Sequence, residues 1–313
     1  MRAFGMDIRT DFAIAGVEFD APGGDRHPLS LREATPAEVR RGFPKRAERI
    51  GEVRLANGSL AVSIDAGGGA GYLAWAADSG QARVAADGQE VLVAPMTDVS
   101  PWIWQRFLTG QVLPLAALLQ GLEVFHSSVL GLEGRAIAVV GASGVGKTTL
   151  ALRLVLQGLD FMSDDVLVVE PGERPLAHPG IGLANVRPGA EELVQALEQL
   201  GLATAIGEND LQVRLSIRCA DSPLPLTDLF VVTRSGEPGE LRVERLRPVD
   251  PLLLLAATFN LSLRTPERLV RQLDVCSQLE RSVSIFELSA GIDVPPDRMT
   301  EAILEHAAHP LPC

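Results

Sequence analysis

The chain has 313 residues, of which 46% are hydrophobic and 22% charged, and its 40 acidic against 28 basic residues leave a net charge of −12. That length suits one large or two smaller globular domains with well-buried cores. The acidic balance argues against nucleic-acid backbones and anionic membranes as partners, because both would repel it.

Residues 1–50 read as irregular, with a Pro/Gly-rich patch over 20–30 and a basic, helix-like stretch over 36–50. From 51 to 96, apolar and polar residues alternate between Asn57-Gly58, Ser79-Gly80 and Asp87-Gly88, which predicts a β-meander. A helix is expected over 98–120; Trp102 and Trp104 within it fit a ligand platform, or an anchor onto the meander, which the pattern favours. Two apolar runs, 124–132 and 135–141, read as strands joined by a Gly-containing turn, and 147–158 has helical spacing that stops at Gly158. A strand over 159–163 follows, ending on Asp164 and Asp165, and 166–170 continues as a strand. Beyond it come a helix (189–201), two strands (227–236 and 241–248) with a turn at 236–240, helices over 249–260 and 265–281, a strand (282–289) and a closing helix (295–308). Strands and helices that alternate after 120 argue for an α/β domain at 121–313, with the β-meander and its helix forming a module at 1–120.

The longest apolar runs, 112–119 and 251–259, fall well short of the roughly 20 residues that cross a bilayer. Cys219, Cys276 and Cys313 are far apart and odd in number, so neither a zinc site nor a disulfide framework is indicated. With no secretion-signal pattern in the first residues, the expected location is the cytoplasm.

Gly141-Ala-Ser-Gly-Val-Gly146-Lys147-Thr148 fits G-x-x-x-x-G-K-[ST]. The glycines let the backbone turn so that successive N–H groups face one anion, and the helix that starts near Lys147 aims its positive end at the same place. Lys147 adds a full charge against β- and γ-phosphates, and the Thr148 hydroxyl is the right length to ligate Mg²⁺. Ser143, Gly144, Val145 and Thr149 complete the candidate nucleotide contacts. Asp164 and Asp165 lie at the end of the very next strand, earlier than most nucleotide-hydrolysing proteins place their acid. Two carboxylates near Mg²⁺ divide naturally into a metal-side acid and a general base for an attacking hydroxyl; the bland alternative is a solvated Asp-rich turn. His126, in the strand before the phosphate-loop strand, is either a satisfied core histidine or a catalytic one.

The order and spacing of these residues over 124–169 resemble the catalytic domain of the HPr serine kinase/phosphorylase family. Most of all they resemble the HPr-kinase-like proteins found beside peptide-modification genes, among them lasso-peptide kinases. The resemblance is specific over about 120–170 and looser to about 290. It implies a P-loop kinase domain of the phosphoenolpyruvate carboxykinase-like type, a mixed sheet between helices. It implies ATP and Mg²⁺ held by Gly141, Gly144, Gly146, Lys147 and Thr148, an acid pair in which one of Asp164 and Asp165 is the base and the other sits near the metal, and His126 tuning that pair. Asp164 is the metal-side candidate. Arg187 matches the arginine of the family's Glu-x-Arg signature, and Arg245 a further phosphate-facing arginine. Ala142 and Thr149 stand where the family has acids, and Asn185 replaces the signature glutamate. The lost carboxylate argues against reverse phosphorolysis and against HPr as the substrate.

Three functions follow as expectations. The first is a kinase of Ser or Thr in a peptide or small protein. The second is a kinase of a small-molecule alcohol in a biosynthetic cluster. The third is a nucleotide-binding scaffold with little transfer. Assembly into a homo-oligomer is compatible with all three.

Overall fold

Two units divide the chain: Met1–Val124 with Phe259–Gln272, and Phe125–Thr258 with Leu273–Cys313. The computed structural model describes residues 1–16, 27–209, 212–234, 237–258 and 265–307. Part of the 20–30 patch, the start of the 236–240 turn, the ends of the 249–260 and 295–308 helices, and Cys313 lie outside the described residues. The architecture is mixed α/β, with mixed sheets and flanking helices.

The first unit runs through β1 (Arg2–Ala3), β2 (Met6–Thr10), β3 (Pro28–Glu33), α1 (Pro36–Arg40), β4 (Glu48–Arg54), β5 (Leu60–Ala66), β6 (Tyr72–Ala76), β7 (Gly80–Val84) and β8 (Glu90–Pro95). Its eight strands lie in the order β1-β2-β3-β8-β7-β6-β5-β4. Strands β4 to β8 form an antiparallel meander, while β3 joins β8 in parallel. The described residues of 1–50 are therefore not irregular. Met6, Ile8, Leu29 and Leu31 alternate with more polar neighbours and are all but fully buried, but each run is too short to stand out in the sequence. The helix expected over 36–50 is also corrected. Thr35 and Glu38 form a reciprocal cap that starts α1. Gly42, at φ 75°, and Pro44 stop it, and Glu48-Arg49-Ile50 enter β4.

The helix expected over 98–120 is α2 (Pro101–Phe107) and α3 (Leu113–Leu119) joined by a π-turn at 108–112. Pro114 has no N–H and its ring crowds the carbonyl of Gly110, which a wider turn relieves. Trp104 packs edge-on against Phe12, with ring centroids 5.4 Å apart, which anchors α2 to the residues after β2. Glu123, fully buried, is gripped by both terminal nitrogens of Arg268, with Nη1 donating at 2.6 Å. Arg271 donates to the carbonyls of Leu118 and Leu122. These bonds tie the returning segment of the first unit to the end of α3.

Strand β9 (Glu123–Phe125) leads into the second unit: β10 (Ser127–Leu132), β11 (Arg135–Gly141), α4 (Lys147–Leu156), β12 (Asp160–Ser163), β13 (Leu167–Glu170), β14 (Leu176–His178), β15 (Leu183–Val186), α5 (Glu191–Gln199), β16 (Ala203–Asn209), β17 (Gln212–Ile217), β18 (Leu224–Arg234), β19 (Leu241–Arg245), α6 (Pro251–Ala256), α7 (Pro266–Ser282), β20 (Ser284–Ala290) and α8 (Pro296–Ala307). The main sheet runs β12-β10-β11-β18-β14-β13-β9, with β20 beside β18 and β19 beside β20. Strand β18 is parallel to both β11 and β20, and β10 is antiparallel to β11 and β12. A small sheet, β15-β17-β16, has no counterpart in the expectations from sequence, nor has β14.

Strand β11 buries both faces. Ile137 and Val139 pack with Leu150 and Leu154 of α4, whereas Ala136, Ala138 and Val140 pack with Leu229 and Leu279. A strand clamped in this way holds its C-terminal residue, Gly141, in a fixed place. The single strand expected over 124–132 is instead two, broken at His126, whose N–H donates to Ala257 O at 2.7 Å.

Candidate active site

The site begins where β11 ends. Gly141 has φ 152°, and a Cβ there would lie 2.5 Å from the backbone oxygen of Val232 on the parallel neighbour β18. Only glycine fits that approach. Gly144 and Gly146 also take positive φ, 86° and 106°, which turns the loop back to start α4 at Lys147. Ser143 and Gly144 are exposed on this loop, Val145 turns its side chain onto the core, and Thr149 is half-buried in the first turn of α4. Lys147 is only 6% exposed, and its Nζ donates to the carbonyls of Gly141 at 2.9 Å and Ala142 at 3.3 Å. Burial pulls its pKa down, Asp165 and Asp164 pull it back up, and Arg187 lowers it again.

The acids reach this loop through strand register. Val129 of β10 pairs with Ser163 of β12, and the two strands are antiparallel. The residues just past Ser163 therefore come opposite Ser128 and His126. Ser163 Oγ donates to Val166 O at 2.5 Å, which closes the turn tightly. Asp164, 9% exposed, accepts from Thr148 Oγ1 at 3.1 and 3.0 Å on its two oxygens, and from Ser128 Oγ at 2.6 Å. Burial and then the charge of Asp165 push its pKa up to about 7, against the opposing hydrogen bonds.

Asp165 takes φ 64°, a left-handed conformation unusual outside glycine. Its carbonyl is 3.0 Å from His126 Nδ1. A carbonyl only accepts, so Nδ1 carries the proton and Nε2 keeps its lone pair. Burial, and then Lys147, hold the His126 pKa below its ordinary value, so the ring is neutral at neutral pH. His126 thus touches the acid pair through backbone, not carboxylate.

Arg187 follows β15, and a Cβ on Gly144 would lie 3.3 Å from its Nη1, which puts the guanidinium beside the phosphate loop. The structure therefore brings together Gly141 to Thr148, Asp164, Asp165, His126 and Arg187. It does not bring Arg245, whose Nη2 bonds Ser284 at 3.3 Å. Ser284 pairs with Asp228 midway along β18, whereas Gly141 pairs with Val232 near its end. Ser128 is the residue that reading the sequence missed. The one available signal was its position two residues after His126, on the same side of an extended strand.

No family model and no curated protein matches the chain. Among solved structures it is similar to the Hpr(Ser) kinase/phosphatase from Coxiella burnetii, with a TM-score of 0.33 and 10% identity over 59% of this chain and 97% of that one.

Proposed function

We propose that the chain is an ATP- and Mg²⁺-dependent kinase, built on a P-loop domain of the phosphoenolpyruvate carboxykinase-like type, that transfers the γ-phosphoryl group to an alcohol. The acceptor in this reading is Ser or Thr of a peptide or small protein. The observation that carries it is the Thr148 hydroxyl donating to both oxygens of Asp164, at 3.1 and 3.0 Å, which joins the phosphate-loop motif to the first acid.

The residues present fit a magnesium-bound triphosphate. Gly141 and Gly144 leave open what a Cβ would crowd, and Lys147 spends its donors on loop carbonyls that a phosphate could replace. Asn185 Oδ1, two residues before Arg187, is buried with no hydrogen-bond partner among the described residues. Among the described residues no three His, Cys, Asp or Glu are grouped so as to hold a metal ion by themselves, and Thr148 and Asp164 would hold Mg²⁺ together with phosphate oxygens, as this cation is usually held. When bound, Mg²⁺ supplies charge neutralisation on the phosphates.

The remaining work falls to side chains. Lys147, Arg187 and the loop N–H groups stabilise charge on the transferred group. Asp164 serves the metal side, which leaves Asp165 as the base that takes the acceptor hydroxyl's proton. His126 holds the Asp165 backbone in its left-handed conformation.

The test is incubation with γ-labelled ATP and a panel of peptide and small-molecule acceptors, read by mass spectrometry for a gain of one phosphoryl group. A Mg²⁺-dependent gain on a peptide or protein hydroxyl is expected. A gain only on small alcohols would move the acceptor class. ATP protection against unfolding that is unchanged in Asp165→Asn, with no turnover in either protein, would make the chain a scaffold.

A further inference from the structure

We infer that Ser128 is a positioning residue that holds Asp164 in its cation-binding orientation before nucleotide arrives. This rests on the kinase reading above and adds to it a residue that neither the phosphate-loop motif nor the acid pair contains.

Ser128 is fully buried on β10, and its Oγ donates to Asp164 Oδ1 at 2.6 Å. Its neighbours in the strand do other things. Ser127, equally buried, gives its hydroxyl to backbone carbonyls, those of Val139 and of Ser128, each at 3.0 Å. Val129 turns into the hydrophobic core. The alternation of an extended strand therefore sends one hydroxyl of the pair to the acid and keeps the other on the sheet.

The bond matters because the other side-chain donor to Asp164 is Thr148, which has one hydroxyl proton and in this reading must also offer an oxygen lone pair to Mg²⁺. As that hydroxyl turns to suit a cation, its hold on the carboxylate changes. Ser128 lies outside the phosphate loop, in a strand paired on both sides by β11 and β12. It fixes one carboxylate oxygen independently of Thr148, so Asp164 needs no reorganisation when the cation enters. A carboxylate that holds Mg²⁺ is ionised, and a hydrogen bond to an ionised partner is stronger than a neutral one. His126 acts on the backbone of Asp165 and Ser128 on the side chain of Asp164. Two residues at positions i and i+2 of one segment thus set the two acids separately.

The experiment is isothermal calorimetry of ATP binding to the full chain across a Mg²⁺ titration. Ser128→Ala is expected to raise the half-saturating Mg²⁺ concentration by about tenfold, the order expected for one charge-assisted hydrogen bond, while ATP binding without Mg²⁺ stays within about twofold. Ser128→Cys, which keeps the volume with a weaker donor, should fall between, and serves if the alanine variant does not fold. Ser127→Ala should leave the Mg²⁺ dependence as in the wild type. In an Asp164→Asn background, Ser128→Ala should add no further Mg²⁺ effect, since the two act as one unit. A wild type that binds Mg²⁺–ATP and a Ser128→Ala variant with the same Mg²⁺ dependence would overturn the positioning role and leave the kinase reading intact. A wild type that binds no nucleotide would overturn both.

Discussion

Asp164 and Asp165 are adjacent in the chain and differ in every physical respect that counts. Asp164 is buried and held by two hydroxyls; Asp165 is half-buried, with its backbone bent into a left-handed conformation. Replacing Asp165 by Asn should lower phosphoryl transfer by about 10²- to 10⁴-fold and leave ATP affinity nearly unchanged, as steady-state kinetics and calorimetry would reveal. Asp164 has a pH signature of its own. Its pKa is raised in the fold, to about 7 from 3.8, so the folded state binds the proton more tightly than the unfolded one. The native state therefore loses stability as pH rises through this window and levels off above it. Asp164→Asn, which carries no charge to bury, should gain on the wild type by roughly 2–4 kcal/mol between pH 4 and 8 in Mg²⁺-free buffer, and equal melting curves at both ends would refute the buried ionisation. Two glycines of the loop resist a side chain for different reasons. Gly141→Ala would drive a Cβ to 2.5 Å from a backbone oxygen and should destabilise by about 1–3 kcal/mol. Gly146→Ala meets no atom within 4 Å, but at φ 106° its Cβ strains the backbone, so it should cost stability as well as nucleotide affinity.

Individual elements are stopped and joined by interactions that lie far apart in sequence. The break between β9 and β10 at His126 is made by Ala257 O, which takes the His126 N–H, and by the Asp165 carbonyl, which takes its ring proton. Neither partner can be read from the apolar run 124–132, which looks like one strand. The grip of Arg268 on Glu123 is the same kind of contact within the first unit, with Glu123 fully buried. Glu123→Gln should cost about 3–5 kcal/mol, measured by denaturant unfolding, because it strands a guanidinium that is largely out of water. A paired Glu123→Leu, Arg268→Met replacement should recover much of that loss. If the single and double variants unfold alike, the pair contributes little.

Across the whole chain, the described residues contain no helix long and apolar enough to cross a membrane, and every candidate site residue belongs to the second unit. Nucleotide that binds only the folded state stabilises it by mass action. Saturation at about 100 times Kd with Mg²⁺–ATP should therefore add about 2.7 kcal/mol, and EDTA should remove most of it. A calorimetric trace unchanged by Mg²⁺–ATP would count against the site. What the sequence determined by itself was local: the glycine loop, the Lys147-Thr148 pair, the helix they open, and the acids at the next strand end. Each is written in contiguous residues whose backbone freedom or side-chain chemistry permits little else. The tertiary structure alone decided which acid meets Thr148, that Ser128 joins them, that Arg187 arrives and Arg245 does not, and that described residues before Gly51 enter the first sheet. Those outcomes depend on strand register and on pairing between distant segments. Such contacts are selected by the burial of the whole sheet, and no short window of sequence carries that energy.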